Sequence, residues 1–241
     1  NFNSFISHFA ESEVNFKMAI TTTDGTTNYN GKMVGDANKL TYSALLANKN
    51  EFISNFKNYV NVGIKGSGRE QGLKTAKSFM ERYASSFLRQ DAFLTIVIVS
   101  DEEDQSERPV DEYSSFFKGL KSKPGMVKVY SIVTQYLTPT MREQSIGKRY
   151  NWVADITNGV KADIYGNFAK TLNNMGTTIS NLVDSFALSA KPIDGSIKVF
   201  VNGVENKNGW TFDSTSKAIK FKSTSIPING AKIEITYQTL E

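Results

Sequence analysis

The feature that most constrains the fold is a β-prone run at residues 93–99 that ends at four acidic residues. The run reads Phe-Leu-Thr-Ile-Val-Ile-Val, without polar alternation, and Asp101, Glu102, Glu103 and Asp104 follow it closely. Such a run predicts a strand buried on both faces, as in a parallel α/β sheet. Ligands of open parallel sheets bind beyond the carboxyl ends of the strands, which is where these carboxylates fall. Hard oxygen ligands favour Mg²⁺ or Ca²⁺.

The acidic run also has a simpler interpretation. Carboxylates after a strand commonly cap a following helix or keep a loop solvated, and this explains Glu102, Glu103 and Asp104 individually. Asp101 differs because it comes first after the strand. We therefore expect Asp101 to be the central residue of any site at this sheet edge.

Composition limits the class of protein. A chain of 241 residues is long enough for one domain with a small appendage. No apolar run approaches the roughly 20 residues of a membrane-spanning helix, and the net charge of +4 comes from scattered lysines without interleaved aromatics. Nucleic acid is therefore not an expected partner. With no cysteine and one histidine, His8, the chain has no material for thiolate catalysis or for a zinc cluster of cysteine or histidine.

Strand and helix patterns alternate through the first three quarters of the chain. The predicted strands are residues 16–23, 59–62, 93–99, 127–133 and 162–165. The predicted helices are residues 47–57, 111–121, 150–157 and 168–184, with an opening helix through Phe2, Phe5, Ile6 and Phe9 and a long helix whose apolar face holds Leu73, Ala76, Phe79, Met80, Tyr83 and Phe87. This order predicts an α/β domain at residues 1–186, a doubly wound, mostly parallel, Rossmann-like sheet.

After residue 186 the apolar residues recur with period two. The alternating positions are Ile197, Val199, Val201, Trp210, Phe212, Ile219, Phe221, Ile233, Ile235 and Tyr237. Three Asn-Gly dipeptides, which favour tight turns, lie between these runs. We therefore predict a small antiparallel β module at residues 187–241.

Residues 1–186 resemble the bacterial extracellular branch of the von Willebrand factor A (VWA) domain family. The likeness is carried by residues 16–24, 66–73, 87–106 and 150–159, and the third of these segments is the most specific. The β module is similar to a C-terminal appendage found in some of these bacterial proteins. The resemblance implies a Rossmann-like sheet with a metal-ion-dependent adhesion site (MIDAS) at one sheet edge.

The resemblance also implies roles for particular residues. Asp101 matches the third-loop aspartate of the metal site, and Ser67 stands where the second loop usually supplies threonine. Asp24, Glu103 and Asp104 become candidates for the rim, although Asp24-Gly25 also has the pattern of an ordinary turn. Without the resemblance, Ser67 reads as the cap of a Gly-Ser-Gly turn that leads into a helix. Glu70 reads as a carboxylate that meets the dipole of that helix.

The largest departure from the family is the absence of its first strand and of the Asp-x-Ser-x-Ser loop that follows that strand. A missing central strand leaves backbone groups unpaired, at a cost larger than the roughly 5 to 15 kcal/mol of net stability of a domain. We therefore expect an upstream segment, a separately cleaved peptide or another copy to supply it. In this chain the metal site is expected to be incomplete.

The leading functional hypothesis is a non-enzymatic adhesion module. It would lie outside the cell or in the bacterial envelope, anchored at the surface or periplasmic, and would grip an acidic group of a protein or glycan through a divalent cation. One alternative is a Mg²⁺-dependent hydrolase or phosphotransferase that uses the cluster from Asp101 to Asp104. The other is a structural surface component with a vestigial metal site.

Overall fold

The computed structural model describes residues 14–63, 66–90, 92–123, 125–138, 145–167, 170–171, 174–175, 185–215, 217–222, 225, 227 and 231–240. The chain divides into two compact units, Asn1–Gly176 and Thr177–Glu241. The predicted opening helix and His8 lie outside the described residues, as does most of the predicted helix at 168–184. No helix within the described residues is long and apolar enough to cross a bilayer.

The first unit contains a three-stranded parallel sheet in the order β1-β2-β3. The strands are β1 (Leu94–Ser100), β2 (Val127–Val133) and β3 (Lys161–Asp163). The register pairs Leu94 with Val127 at one end of β1 and Ser100 with Val133 at the other. All three strands therefore direct their carboxyl ends to the same edge, where Asp101 follows β1.

The described helices of this unit are α1 (Tyr42–Ala47), α2 (Lys49–Val60), α3 (Gly72–Phe87), α4 (Val110–Gly119) and α5 (Lys148–Ile156). A short 3₁₀ helix, Ala37–Lys39, precedes α1. Side chains cap the first two α-helices, because Thr41 accepts from Ala44 N–H and Asn48 accepts from Glu51 N–H.

One face of the sheet packs against α3, α4 and α5. The buried cluster on this face is Leu73, Phe79, Met80, Leu94, Ile98, Tyr113, Phe117, Val127, Val129, Val133, Tyr150 and Val153. The apolar faces of the three helices supply most of the cluster, and alternate residues of β1 and β2 supply the rest. The first unit is therefore an α/β domain with a parallel sheet.

The prediction of a strand at residues 59–62 is wrong. Tyr59 and Val60 are the last two residues of α2, and residues 61–63 form no regular element. Phe52 and Phe56 are both buried and lie four residues apart, so the helical period continues through this stretch.

The prediction that the strand at 93–99 is buried on both faces is also wrong. Val97 and Val99 are 38% and 41% exposed, whereas Leu94 and Ile98 on the helix-covered face are 6% and 5% exposed. The reason is that β1 pairs only with β2 within the described residues, so β1 is an edge strand.

The predicted strand at 16–23 is not a continuous strand in the structure, where this segment is held by isolated bridges. Lys17 bridges Thr41 and Ile20 bridges Val34, both antiparallel. At its end, Asp24 bridges Glu70. This last bridge brings the 24–26 turn next to the loop that contains Ser67.

Within its described residues the second unit contains two small antiparallel sheets, as its period-two pattern predicted. One sheet has the order β4-β8-β7, from Ser185–Ala187, Ala218–Phe221 and Trp210–Asp213. The other has the order β6-β5-β9, from Val204–Glu205, Lys198–Val201 and Ile233–Thr236. Val199, Ile219 and Phe221 form the buried centre of the unit. The β5–β6 hairpin turns at Asn202 and Gly203, both with positive φ, as an Asn-Gly turn requires.

Candidate functional site

The carboxyl end of β1 separates the four acidic residues into two pairs. Asp101 is exposed, and its carbonyl accepts a hydrogen bond of 2.8 Å from the buried Thr134 hydroxyl at the end of β2. Glu102 N–H donates to Ser100 Oγ at 3.2 Å. Within the described residues neither the Asp101 nor the Glu102 carboxylate has a hydrogen-bond partner. These hydrogen bonds thus fix the backbone of Asp101 and Glu102, while both carboxylates stay available.

Glu103 is bound to the start of α5. Its Oε2 accepts from Lys148 N–H and its Oε1 from Arg149 N–H, both at 3.0 Å. Glu103 N–H donates to Ser145 Oγ at 2.7 Å. A carboxylate at this position satisfies free helical N–H groups and meets the positive end of the helix dipole.

Asp104 is 3% exposed and joins two helices. Its Oδ1 accepts from Leu73 N–H in the first turn of α3, and its Oδ2 accepts from Arg149 Nε of α5 at 2.9 Å. Ser106 donates its hydroxyl to the same carboxylate at 2.8 Å. Glu103 and Asp104 therefore cap helices. The simpler interpretation of the acidic run expected a cap of the following helix, α4, whereas these residues cap α5 and α3.

The first turn of α3 is capped entirely by distant residues. Its N-cap residue, Gln71, makes no side-chain cap. Instead Gly72 N–H donates to the Tyr150 hydroxyl at 3.1 Å, and Lys74 N–H donates to Ser106 Oγ at 3.0 Å. The interpretation of Ser67 as the cap of this helix is therefore wrong, because α3 begins five residues later and its N–H groups bond elsewhere.

Asp24 and Ser67 are in direct contact. Asp24, 7% exposed, accepts from Ser67 N–H at 2.9 Å and from Thr26 N–H at 2.8 Å. Burial acts to raise the pKa of Asp24, but these hydrogen bonds outweigh it and the pKa lies below its usual value. Ser67 Oγ accepts from Arg69 N–H at 3.1 Å, which leaves one lone pair of the hydroxyl oxygen. Asp24 thus fixes the loop that presents Ser67.

Glu70 is the acidic residue that the sequence interpretation undervalued. Its Oε2 is buried and has no hydrogen-bond partner, while a side-chain hydrogen bond with Thr23 lowers the pKa of the same carboxylate. Burial is the main cause that raises the pKa of Glu70, and the negative charges of nearby carboxylates raise it further. These carboxylates belong to Glu102, Asp101 and Asp24. Three further carboxylates therefore act on Glu70 at this sheet edge.

The donors at this edge are all hard oxygens, which suit Mg²⁺ or Ca²⁺. The candidates are the Asp101 and Glu102 carboxylates, Glu70 Oε2 and the hydroxyl of Ser67. Within the described part of the chain, however, no three acidic or histidine side chains lie close enough together to hold a metal ion. The chemistry of the donors fits a divalent cation, whereas their positions provide only part of a site.

Sequence reasoning missed Tyr150 and Thr134, because residues that act from 30 or more positions away in the chain leave no local pattern. Glu70 could have been found from its place three residues after Ser67, in the loop that leads to α3. Comparisons of the chain with family models, curated proteins and solved structures give no match.

Proposed function

We propose that this chain is a non-enzymatic binding module that grips an acidic group of a protein or glycan partner through a divalent cation at the carboxyl end of β1. The observation that carries the proposal is Glu70, whose buried Oε2 has no partner and whose neighbours are three further carboxylates. A buried carboxylate oxygen without a donor is costly, and a cation offsets both the burial and the repulsion from the neighbouring carboxylates.

In this proposal Asp101, Glu70 and Ser67 supply oxygen ligands from two loops. Asp24 positions the Ser67 loop through the 2.9 Å hydrogen bond from Ser67 N–H. Because few protein ligands converge, the cation keeps open positions, and one of these can take a carboxylate of the partner. The chain alone should bind the cation weakly.

The proposal extends to the fold and the location. We infer that the parallel sheet belongs to a doubly wound, Rossmann-like sheet of the VWA type, and Tyr130 and Ile132 support this because they are 1% and 0% exposed on the face away from α3 to α5. We also place the protein outside the cell or in the bacterial envelope, which rests on the family resemblance.

The hydrolase alternative has less support. It would use the run from Asp101 to Asp104, but Glu103 and Asp104 accept hydrogen bonds from helix N-termini and from Arg149. Only Asp101 and Glu102 of that run are left for chemistry.

The proposal is tested by calorimetric titration of Mg²⁺ and Ca²⁺ into the chain and into three variants. Asp101→Asn and Glu70→Gln should each weaken binding at least tenfold, since each removes one negative ligand. The matched control is Asp194→Asn, which removes an exposed carboxylate of the second unit and should change nothing. Equal affinities for the chain and all three variants would refute the cation site.

The adhesion step needs a second measurement. The immobilised chain should retain a poly-glutamate peptide in Mg²⁺ and release it in EDTA, whereas a poly-glutamine peptide should not be retained under either condition. Retention that is insensitive to EDTA, or hydrolysis of a phosphate ester that disappears in Asp101→Asn, would overturn the non-enzymatic reading.

A further inference from the structure

Gln71 lies between the 24–26 turn and the loop that follows β1. It is 4% exposed and directly follows Glu70. On one side its N–H donates to Thr23 O at 2.8 Å. On the other side Gln105 N–H donates to Glu70 O at 2.7 Å. Backbone hydrogen bonds therefore hold residues 70 and 71 from both sides.

The side-chain amide of Gln71 adds two bonds to the loop that follows β1. Its Nε2 donates to Gln105 O at 3.2 Å and to Glu107 Oε1 at 2.9 Å. These two bonds use both hydrogens of the amide nitrogen. Gln105 is thus bonded through its N–H to Glu70 and through its carbonyl to Gln71. The contact joins the loop that holds Glu70 to the loop that holds Asp101.

Gly25 makes room for this amide. Its φ lies outside the left-handed region, so the turn does not need glycine for its backbone conformation. A Cβ at residue 25 would instead lie 2.1 Å from Gln71 Oε1 and 2.9 Å from Gln71 Cβ. Glycine is the residue that permits such a close approach. The Gly of the Asp24-Gly25 turn is therefore required by the packing of Gln71.

Both acceptors of the Gln71 amide have a second donor. Gln105 O also accepts from Arg69 Nη2 at 3.2 Å, and Glu107 Oε1 also accepts from Lys74 Nζ at 3.1 Å. Loss of the amide thus leaves neither acceptor unsatisfied, which limits the cost to stability. The Arg69 side chain is 54% exposed and keeps many rotamers, so it fixes the spacing of the loops less well than the buried Gln71 does.

We propose that Gln71 is a positioning residue of the cation site, and that Gly25 serves to admit it. Gln71 fixes the spacing between the loop of Ser67 and Glu70 and the loop of Asp101. This inference rests on the proposed function, because the ligands that Gln71 aligns are those of the proposed site. Productive ligand geometry must be held to within about 0.5 Å, which a buried, doubly bonded amide can provide.

The first test is calorimetric titration of Mg²⁺ into Gln71→Met. Methionine has a similar volume and lacks the amide, so the core stays filled while the link to residues 105 and 107 is lost. Affinity should fall about tenfold or more, as is typical when a residue that supports metal ligands is replaced. The matched control is Gln90→Met, which removes a bond from Gln90 Nε2 to Leu120 O and should keep the native affinity. Native affinity in Gln71→Met would overturn the proposal.

The second test is amide exchange by NMR without any cation. Gln105 N–H, which donates to Glu70 O, should exchange about tenfold faster in Gln71→Met than in the native chain. Val129 N–H, which donates to the buried Thr157 hydroxyl at 2.9 Å, should not change. Unchanged exchange at Gln105 would show that the amide does not join the loops. Equal acceleration at Gln105 and Val129 would mean a loss of stability of the whole unit, and either result would overturn the proposal.

A glycine substitution gives an independent arm, which decides if Gln71→Met does not fold. Gly25→Ala places a Cβ against the Gln71 amide and should reproduce the loss of Mg²⁺ affinity. Gly68→Ala, next to Ser67, is the matched control, because a Cβ there meets nothing within 4 Å. Native affinity in Gly25→Ala, or an equal loss in both alanine variants, would contradict the role of Gln71.

The two proposals fail in different ways. A native chain that binds no Mg²⁺ would refute the cation site, while faster exchange at Gln105 in Gln71→Met would still assign the joining of the two loops to Gln71. Mg²⁺ binding that weakens in Glu70→Gln and stays native in Gln71→Met would keep the cation site and refute the positioning role alone.

Discussion

The two halves of the acidic run after β1 have the same charge and opposite roles. Glu103 and Asp104 accept hydrogen bonds from the first turns of α5 and α3, and Asp104 is 3% exposed. Asp101 and Glu102 have no such partners within the described residues, and their charges raise the pKa of Glu70. Adjacent carboxylates thus separate into a structural pair, which caps helices, and a proposed functional pair, which is left without such partners, according to which helix N-termini lie within reach.

The largest expected effect is that of Asp104→Ala. The substitution removes the acceptor for Leu73 N–H and leaves Arg149 without its carboxylate, so the free energy of unfolding should fall by about 3 kcal/mol. Urea denaturation measures this loss. Asp101→Ala is the matched control and should change stability by less than about 0.5 kcal/mol. Similar losses in both variants would erase the distinction between the two pairs.

Glu103→Ala should have the next largest effect. The substitution frees Arg149 N–H at the start of α5 and leaves Lys148 N–H with Ile146 O as its acceptor, and loss of a helix cap costs about 1 kcal/mol. Glu102→Ala, one position earlier, is the control and should leave the urea midpoint nearly unchanged. A urea midpoint in Glu103→Ala equal to that of the native chain would mean that Glu103 is not needed as a cap and belongs with Asp101 and Glu102.

Tyr150→Phe tests whether α3 depends on its distant caps. The hydroxyl accepts from Gly72 N–H at 3.1 Å in a buried setting, so its removal should cost about 1 kcal/mol. Tyr136→Phe removes an exposed hydroxyl and serves as the control. Faster amide exchange at Gly72 in Tyr150→Phe, measured by NMR, would locate the effect at the helix start. If Gly72 exchanges equally slowly in both proteins, the distant cap is dispensable.

The smallest expected effect is the pH-dependent contribution of Glu107 to stability. Glu107 follows Asp104 by three residues. The hydrogen bond from Gln71, then one from the backbone of Glu107 itself and finally the contribution of Lys74, lower the pKa of Glu107 to about 2, from 4.5. A lowered pKa means that ionised Glu107 stabilises the folded state fully above pH 4.5, and that this contribution is lost as the pH falls toward 2. Since the side chain is 51% exposed, solvent screening limits the effect to about a few tenths of a kcal/mol.

The check is the difference in urea midpoint between the native chain and Glu107→Gln, measured from pH 6 down to pH 2. The difference should shrink over the acid range, since the native side chain then becomes neutral like glutamine. A difference that stays constant with pH would show that Glu107 does not contribute through its charge.

Much of the architecture follows from local pattern. The 3.6 period through Leu73, Phe79 and Met80 predicted α3, and the apolar runs predicted β1 and β2, because each of these signals is contained in a few successive residues. Period two and the Asn-Gly turns predicted the antiparallel second unit for the same reason. The predicted strand at 59–62 failed because a β-prone tetrapeptide cannot report that the helix before it continues.

The candidate site was predictable only at its starting point. A strand that ends at Asp101 is visible in the sequence, and so is Ser67 as a matching position. The sequence alone thus determined most of the elements, the placement of carboxylates after β1 and the exclusion of thiolate chemistry. The tertiary structure decided which carboxylates are available, since hydrogen bonds from α3 and α5 engage Glu103 and Asp104 and leave Glu70 Oε2 without a donor. It also decided that β1 pairs only with β2 within the described residues, because pairing depends on which segments meet in space and not on the composition of the strand itself.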